Sequence, residues 1–194
     1  MPKDIPESKT ALRQQIRARL KQLDGAHRRT ASTAAGELLK KQEAWKQARS
    51  VLFYAPLPEE LDVWSLAGDA RAAGKIVGLL RFNSKTTQYQ ACRIQDLVGD
   101  LCLGQFGIRE PDGQCPTLSL DQIELVLVPG VAFDLNGRRL GRGRGIYDRL
   151  LMRVRGATCG VAFDEQIIPE IPVEAHDLHV KFVLTPTRWV ETGR

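Results

Sequence analysis

Two hydrophobic rhythms run along the chain, one with helical spacing and one with the short unbroken runs of buried strands. Leu12, Ile16, Leu20 and Leu23 recur on one helical face, and Ser8 ahead of them predicts a cap for a helix running to about Leu23. Ala31, Ala35, Leu38 and Leu39 mark a second helix over Arg29 to Gln42. SVLFYAP then reads as a buried strand stopped by Pro56 and Pro58. Asp62 to Ala73 predicts a helix, with Asp62 as cap and Gly74 as stop. KIVGLLR and TTQYQACRI follow as strands. IELVLVP is the most apolar strand candidate and is expected at the centre of a sheet. After it come a Gly/Arg loop, a helix from Ile146 to Val154 ended by Gly156, and two last strands, TCGVAFD and VKFVLT. Strands interleaved with helices predict an α/β layered, partly parallel sheet. With no repeat, low-complexity tract or linker, residues 1–194 read as a single domain, the N-terminal helices of about residues 8–42 packing on the sheet.

Composition narrows the class. The chain is 43% apolar and 26% charged, as an ordinary folded protein is. No apolar run reaches bilayer length, and MPKDIPESKTALRQQ lacks a signal core, so the expectation is a cytoplasmic protein with no membrane partner. Cys92, Cys102, Cys115 and Cys159 are widely spaced with no C-x-x-C pair, which argues against a zinc site or a disulfide framework. The net charge of +5 is concentrated. Residues 138–149 set five arginines against Asp148, and residues 9–29 set seven cations against Asp24. The remainder is net acidic, so the basicity points to an anion at a site.

The loop NGRRLGRGRGIYDRL suggests how that anion is held. Strand, glycine-rich loop and helix together present backbone N–H groups to an anion. No Gly-Lys-Ser/Thr is present, which excludes a P-loop. The spacing G-x-G-x-G at Gly141, Gly143 and Gly145 begins twelve residues beyond Pro129, which excludes the dinucleotide fingerprint. Arg142 and Arg144 alternate with these glycines and can fork onto phosphate oxygens. Asp148, at the start of the next helix, is either a salt-bridge partner for the arginines or a ligand for magnesium accompanying a nucleoside triphosphate.

LVLVPGVAFDLNGRRLGRGRGIYDRLL resembles the signature of the 5-formyltetrahydrofolate cyclo-ligase family, also called 5,10-methenyltetrahydrofolate synthetases. KTALR, YAPLPEELDV, GQFGIREP and GVAFDEQIIPEIPVEAHDLHVKFVLTPT appear in the same order as in that family, so the resemblance covers nearly the whole chain. It implies a three-layer α/β domain with a mixed, partly parallel central sheet flanked by helices. The implied reaction is ATP- and Mg2+-dependent closure of 5-formyltetrahydrofolate to 5,10-methenyltetrahydrofolate. The formyl oxygen attacks the γ-phosphate of ATP, N10 attacks the activated carbon, and phosphate leaves. Phosphoryl transfer of this kind depends on positioning and charge stabilisation rather than on a protein nucleophile. The partners implied are the two small molecules, with no nucleic acid, and the chain is expected as a monomer or weak homodimer.

The same resemblance assigns residues. Lys9, Thr10, Ala11, Leu12 and Arg13 would bind ATP, although the residues alone read as a solvated basic helix face. Arg139 and the run Gly141, Arg142, Gly143, Arg144, Gly145, Ile146 and Tyr147 would wrap the triphosphate. Arg142 to Ile146 would also border the folate, with Ala55 lining its site and Glu60 accepting hydrogen bonds from the pterin's aminopyrimidine edge. Arg144 and Tyr147 would be the catalytic pair. Asp148 and Asp177 would hold magnesium; read alone, Asp177 is an exposed loop acid. His27 and His179 read as surface residues, and His176 as structural. Three positions depart from the family: Ile146 replaces an aromatic residue, Arg144 stands where glycine or lysine is common, and Lys181 where an acid is common. Ile146 leaves open a homologue that binds folate or nucleotide with little turnover. An RNA-binding module is the other alternative, but aromatic residues are only 6% of the chain, too few for a stacking platform.

Overall fold

The computed structural model describes residues 5–104, 107–172, 174 and 177–193, with the backbone alone for residues 5–7. Gln105 and Phe106 of GQFGIREP, and His176, lie outside them. Helices α1 (Ile5–Lys21), α2 (Gly25–Lys40) and α3 (Glu43–Gln47) precede strand β1 (Ser50–Leu52). Helix α4 (Leu66–Ala72) leads to β2 (Ile76–Asn83), β3 (Gln88–Ile94), β4 (Leu101–Leu103), β5 (Arg109–Pro111) and β6 (Thr117–Leu118). Then come β7 (Leu125–Pro129), β8 (Ala132–Phe133), β9 (Arg139–Leu140), helix α5 (Ile146–Leu151), β10 (Ala157–Val161), β11 (Phe182–Leu184) and β12 (Trp189–Glu191).

Eight strands form one sheet in the order β12-β11-β10-β7-β1-β2-β3-β6. From β11 to β2 the neighbours are parallel; β12, β3 and β6 pair antiparallel at the two edges. The predicted central strand, β7, lies between β10 and β1. Strand period fixes what each side chain touches. Val51 and Phe53 face one cluster and Leu52 the other; Leu125 and Leu127 alternate with Val126 and Val128 in the same way. The first cluster takes Ile16, Leu20, Ala35, Leu39, Trp45, Leu66 and Ala70 from α1 to α4. The second takes Leu150 and Leu151 from α5. Helices therefore flank a mixed sheet on both faces, as expected. Fully buried Phe53 and Phe163 each contribute about 1.5–3 kcal/mol through removal from water.

Several boundaries differ from the sequence expectations. Helix α1 begins at Ile5, so Ser8 lies inside it rather than capping it. Pro6 sits in the first turn, where its missing N–H has no helical partner to lose. Helix α2 starts four residues early because Asp24 caps it, its carboxylate accepting the His27 N–H at 2.7 Å. Asp62 caps no helix: its carboxylate takes the Trp64 N–H in a turn at 2.8 Å, and α4 starts only at Leu66. Gly74 stops α4 as expected, with φ of +76°. Helix α5 ends at Leu151 instead of Val154. The hairpins β4–β5 and β8–β9 and the short α3 were not read from the sequence. Among the described residues no helix is long and apolar enough to cross a membrane.

The connection leaving β1 runs to β2 on one side, and that leaving β7 runs to β10 on the other. Adjacent parallel strands whose connections diverge leave a crevice beyond their carboxyl ends. The loops after β1 and β7 both open onto it.

Candidate functional site

A cleft of about 580 Å3 fills that crevice. The segment after β1 supplies Tyr54, Ala55, Leu57 and Glu60; the segment after β7 supplies Gly130, Arg139, Gly141, Arg142, Arg144 and Gly145 to Asp148. Leu79 and Leu80 of β2, Tyr89 of β3 and Ile108 to Glu110 close the far wall. The volume lies within the roughly 300–1,000 Å3 of small-molecule sites.

The β8–β9 hairpin fixes where the glycine loop begins. Its turn is pinned by Asp134, fully buried, whose Oδ1 accepts the N–H groups of Asn136 and Arg138 at 3.0 Å each. Asp134 Oδ2 takes the Ile171 N–H at 3.1 Å. Buried Gln166 holds the loop's first residues, its Nε2 donating to the Gly130 and Val131 carbonyls at 2.8 and 3.0 Å. Sequence reasoning passed over both. The DLNG run carried the signal for the turn, since Asp and Asn followed by Gly favour local side-chain to backbone bonds. Gln166 carried none.

Beyond the hairpin the loop has a buried stem and an open tip. At the stem, Arg139 keeps only 4% of its side chain exposed and donates from Nη2 to Asp148 Oδ1 at 2.6 Å. Its guanidinium lies 5.7 Å from the Tyr147 ring centroid. Gly141 lets this guanidinium close in, because a Cβ there would come within 2.9 Å of Arg139 Nη1. At the tip, Gly143 and Gly145 adopt φ of +96° and +60°, which glycine tolerates without strain. Arg142 Nη2 donates to Glu59 Oε1 at 2.9 Å and to Glu60 Oε1 at 3.0 Å. Arg144 is exposed on the cleft wall, and Ile146 and Tyr147 are half-buried. Helix α5 is only six residues long, so the stem-to-helix junction offers only a weak dipole.

Helix α1 packs along the outer side of the loop. Arg13 Nε donates to the Gly141 carbonyl at 2.9 Å. Lys9 is buried, not solvated: its ammonium contacts Asp177 Oδ2 at 2.6 Å and Glu174 Oε2 at 2.8 Å. Asp177 in turn is 15% exposed rather than an open loop acid, and it also accepts the Glu174 N–H at 2.8 Å. The stretch from Lys9 to Arg13 is therefore divided by helix geometry. Lys9, Leu12 and Arg13 turn toward the protein, while Thr10 and Ala11 are exposed. Arg17, one turn further on, lines the cleft itself.

Burial and charge set the protonation. Burial lowers the affinity of Lys9 for its proton, but the hydrogen bonds and charges of Asp177 and Glu174 outweigh it and raise its pKa. Burial pushes the Glu60 carboxyl above the usual range, against the Leu57 N–H and Arg142, which lower it. Next to it, Glu59 moves the other way: burial raises it, and the Arg142 hydrogen bond and charge bring it below the usual value. Burial drives the Tyr147 phenol far above the ordinary tyrosine range, with the Glu60 charge adding to it, so the hydroxyl keeps its proton. Tyr147 is therefore no base here.

His27 is exposed, 3.4 Å from Glu165. His179 is half-buried beside a separate hollow, and Lys181 places its ammonium over the Phe182 ring at 5.2 Å. The four cysteines are free; Cys102 is exposed and the others buried.

The model of the 5-formyltetrahydrofolate cyclo-ligase family matches residues 5–186. The chain is 28% identical over 191 residues to the 5-formyltetrahydrofolate cyclo-ligase of Mus musculus, covering 93% of this chain and 94% of that one. It is 30% identical over 145 residues to the Escherichia coli K12 cyclo-ligase, covering 73% and 80%. The solved structure of Aquifex aeolicus 5,10-methenyltetrahydrofolate synthetase superposes with a TM-score of 0.86 at 31% identity, over 96% of this chain and 93% of that one. The chain therefore belongs to the 5-formyltetrahydrofolate cyclo-ligase family and is a ligase.

Proposed function

From that membership we propose that the chain closes 5-formyltetrahydrofolate to 5,10-methenyltetrahydrofolate, consuming ATP and releasing ADP and phosphate, as one catalytic domain. The observation that carries this reading is the cleft at the β1/β7 crevice. It joins a buried carboxylate, Glu60, to a rim of Arg142 and Arg144 and to the hydroxyl of Tyr147. A pterin edge needs the first and a triphosphate the second, side by side.

The residues then divide the work. Glu60 holds the aminopyrimidine edge, with Ala55 and Ile146 against the ring faces. Arg142, Arg144 and the loop amides from Gly141 to Gly145 hold the phosphates, so the γ-phosphorus sits opposite the formyl oxygen. Once that oxygen is phosphorylated, N10 attacks the carbon. The C–O bond then breaks, and phosphate departs with the N10 proton. Arg144 stabilises charge that builds on the transferred phosphoryl group, and Tyr147 donates from its protonated hydroxyl to the reacting oxygen. Lys9 and Arg13 close the outer side of the loop, where they steady it and meet the nucleotide.

Magnesium suits this site as a companion of ATP. Asp148 lines the cleft and Asp177 lies beside Glu174 on the Lys9 ammonium, and no group of three or more ligating side chains gathers among the described residues. Mg2+ keeps waters and phosphate oxygens and needs only one or two carboxylates, so two acids fit it where they would not fit zinc. It would supply charge neutralisation on the phosphates.

Incubating the purified chain with ATP, Mg2+ and 5-formyltetrahydrofolate tests the reading. Methenyl absorbance should grow with one phosphate released per product. Folded protein that binds both ligands and forms no product is a binding homologue instead.

A further inference from the structure

Glu60 is the carboxylate suited to an aminopyrimidine edge, and Arg142 covers it. Nε and Nη2 of Arg142 both donate to Glu60 Oε1, at 3.2 and 3.0 Å, and Nη2 also reaches Glu59 Oε1 at 2.9 Å. The other oxygen, Oε2, accepts the Leu57 N–H at 3.0 Å. An aminopyrimidine offers two neighbouring N–H donors, and a guanidinium fork offers the same pattern. Both address the outward edge of one carboxylate. They cannot occupy it together.

Nor can Arg142 simply withdraw. The Glu60 side chain is 9% exposed, and a buried carboxylate stripped of its partner is strongly unfavourable. Release requires another anion for Arg142 and other donors for Glu60 in the same event. The loop is built to allow the turn. Arg142 sits between Gly141 and Gly143, and the flanking peptides can rotate at little steric cost. The Arg142 side chain is 36% exposed at the rim of the cleft, so its guanidinium can move without opening the core. Arg17 lines the same cleft, and its charge already acts on Glu59, so Glu59 keeps a cation when Arg142 leaves.

We infer that Arg142 is a positioning residue exchanged between Glu60 and the phosphates of the nucleotide, so that ATP binding uncovers the carboxylate that recognises folate. The inference rests on the cyclo-ligase reading above and adds to it a coupling between the two ligands. The coupling is reciprocal, so folate must tighten nucleotide by the factor by which nucleotide tightens folate.

Calorimetric titration of the full chain with 5-formyltetrahydrofolate, with and without a non-hydrolysable ATP analogue and Mg2+, reads this factor. The analogue should tighten folate binding by about tenfold or more, within the usual range of such couplings. Arg142→Ala should bind folate without nucleotide about as tightly as the native chain does with it. That variant should lose affinity for the analogue, and its coupling factor should fall to about one. Glu59→Gln loosens only the outer half of the clasp; it should raise folate affinity by a smaller factor and leave analogue affinity unchanged. If the native chain binds both ligands independently, or Arg142→Ala keeps the coupling, the exchange is wrong while the cyclo-ligase reading stands. If folded native protein binds neither ligand, both fall.

Discussion

Arg139 and Arg142 stand three residues apart on one loop and live under different physics. Arg139 is buried, paired with Asp148 and stacked near Tyr147; its charge is spent inside the protein. Arg142 sits at the rim on a glycine pivot, held by two glutamates at distances that a competing anion can match. The difference teaches that the loop's basicity is not one property. Arg138 is taken by Glu170 at 2.8 Å and the buried Arg139 by Asp148, whereas Arg142 and Arg144 are exposed on the cleft wall. Stem arginines shape the loop, and tip arginines stand on the cleft wall.

The largest test of that division is Arg139→Ala. It leaves Asp148 partly buried without its cation, and should destabilise by about 3 kcal/mol. For a chain of this size that lowers the melting temperature by about 6–12 °C, readable by circular dichroism. Replacing the pair together, with Arg139→Met and Asp148→Leu, should recover most of the stability and none of the activity. At the tip the pattern reverses. Arg144→Ala should cost roughly 1.5–3 kcal/mol of transition-state stabilisation, a ten- to hundredfold loss in kcat/KM for ATP, with an unchanged melting temperature. An equal loss of stability in both variants would erase the distinction.

Asp148→Asn probes the join between stem and tip. Asparagine still accepts from Arg139, so the fold should hold while half-saturation by magnesium rises about tenfold. An unaltered magnesium titration would leave Asp148 with the structural role alone.

The smallest effect lies in the two adjacent glutamates, which should respond to pH with opposite signs. Glu60 has a pKa raised in the folded state. It favours folding when protonated, and that contribution fades as pH climbs past the ordinary glutamate value of 4.5 through the folded one. Glu59 has a lowered pKa, so its contribution is present above 4.5 and fades as pH falls through its folded value. Chemical denaturation from pH 3 to 7 should show Glu60→Gln gaining on the native chain as pH rises and Glu59→Gln losing. Parallel curves would mean that the two carboxylates share one environment.

The sequence was legible where a repeating physical rule acts. An unbroken apolar run marked Leu125 to Pro129 as central, and the glycine spacing marked the loop. Family motifs named Glu60 and Asp177, residues that the chain's own pattern left as ordinary surface acids, and picked one of the two roles that the pattern left open for Asp148. The hidden part was pairing across long separations. Helical spacing puts Lys9 on the face of Leu12 and Ile16, but nothing local to it names Glu174 and Asp177 as its partners. Nor does a lone Gln166 show that its amide holds the Gly130 and Val131 carbonyls. Helix caps failed for a simpler reason: Ser8 and Asp62 are both fit to cap, but the chain begins its helices at Ile5 and Leu66, and local side-chain bonds compete for the same acids.

The ammonium of Lys9 meets its carboxylates across sequence separations of 165 and 168 residues. A growing polypeptide must therefore carry an unsealed crevice through nearly all of its synthesis, shutting the outer wall of the glycine loop only after residue 177 has emerged. Closure over so long a span is slow by its topology. A ribosome stalled short of that point would display a sheet still lacking β11 and β12, with the Lys9 ammonium unpaired.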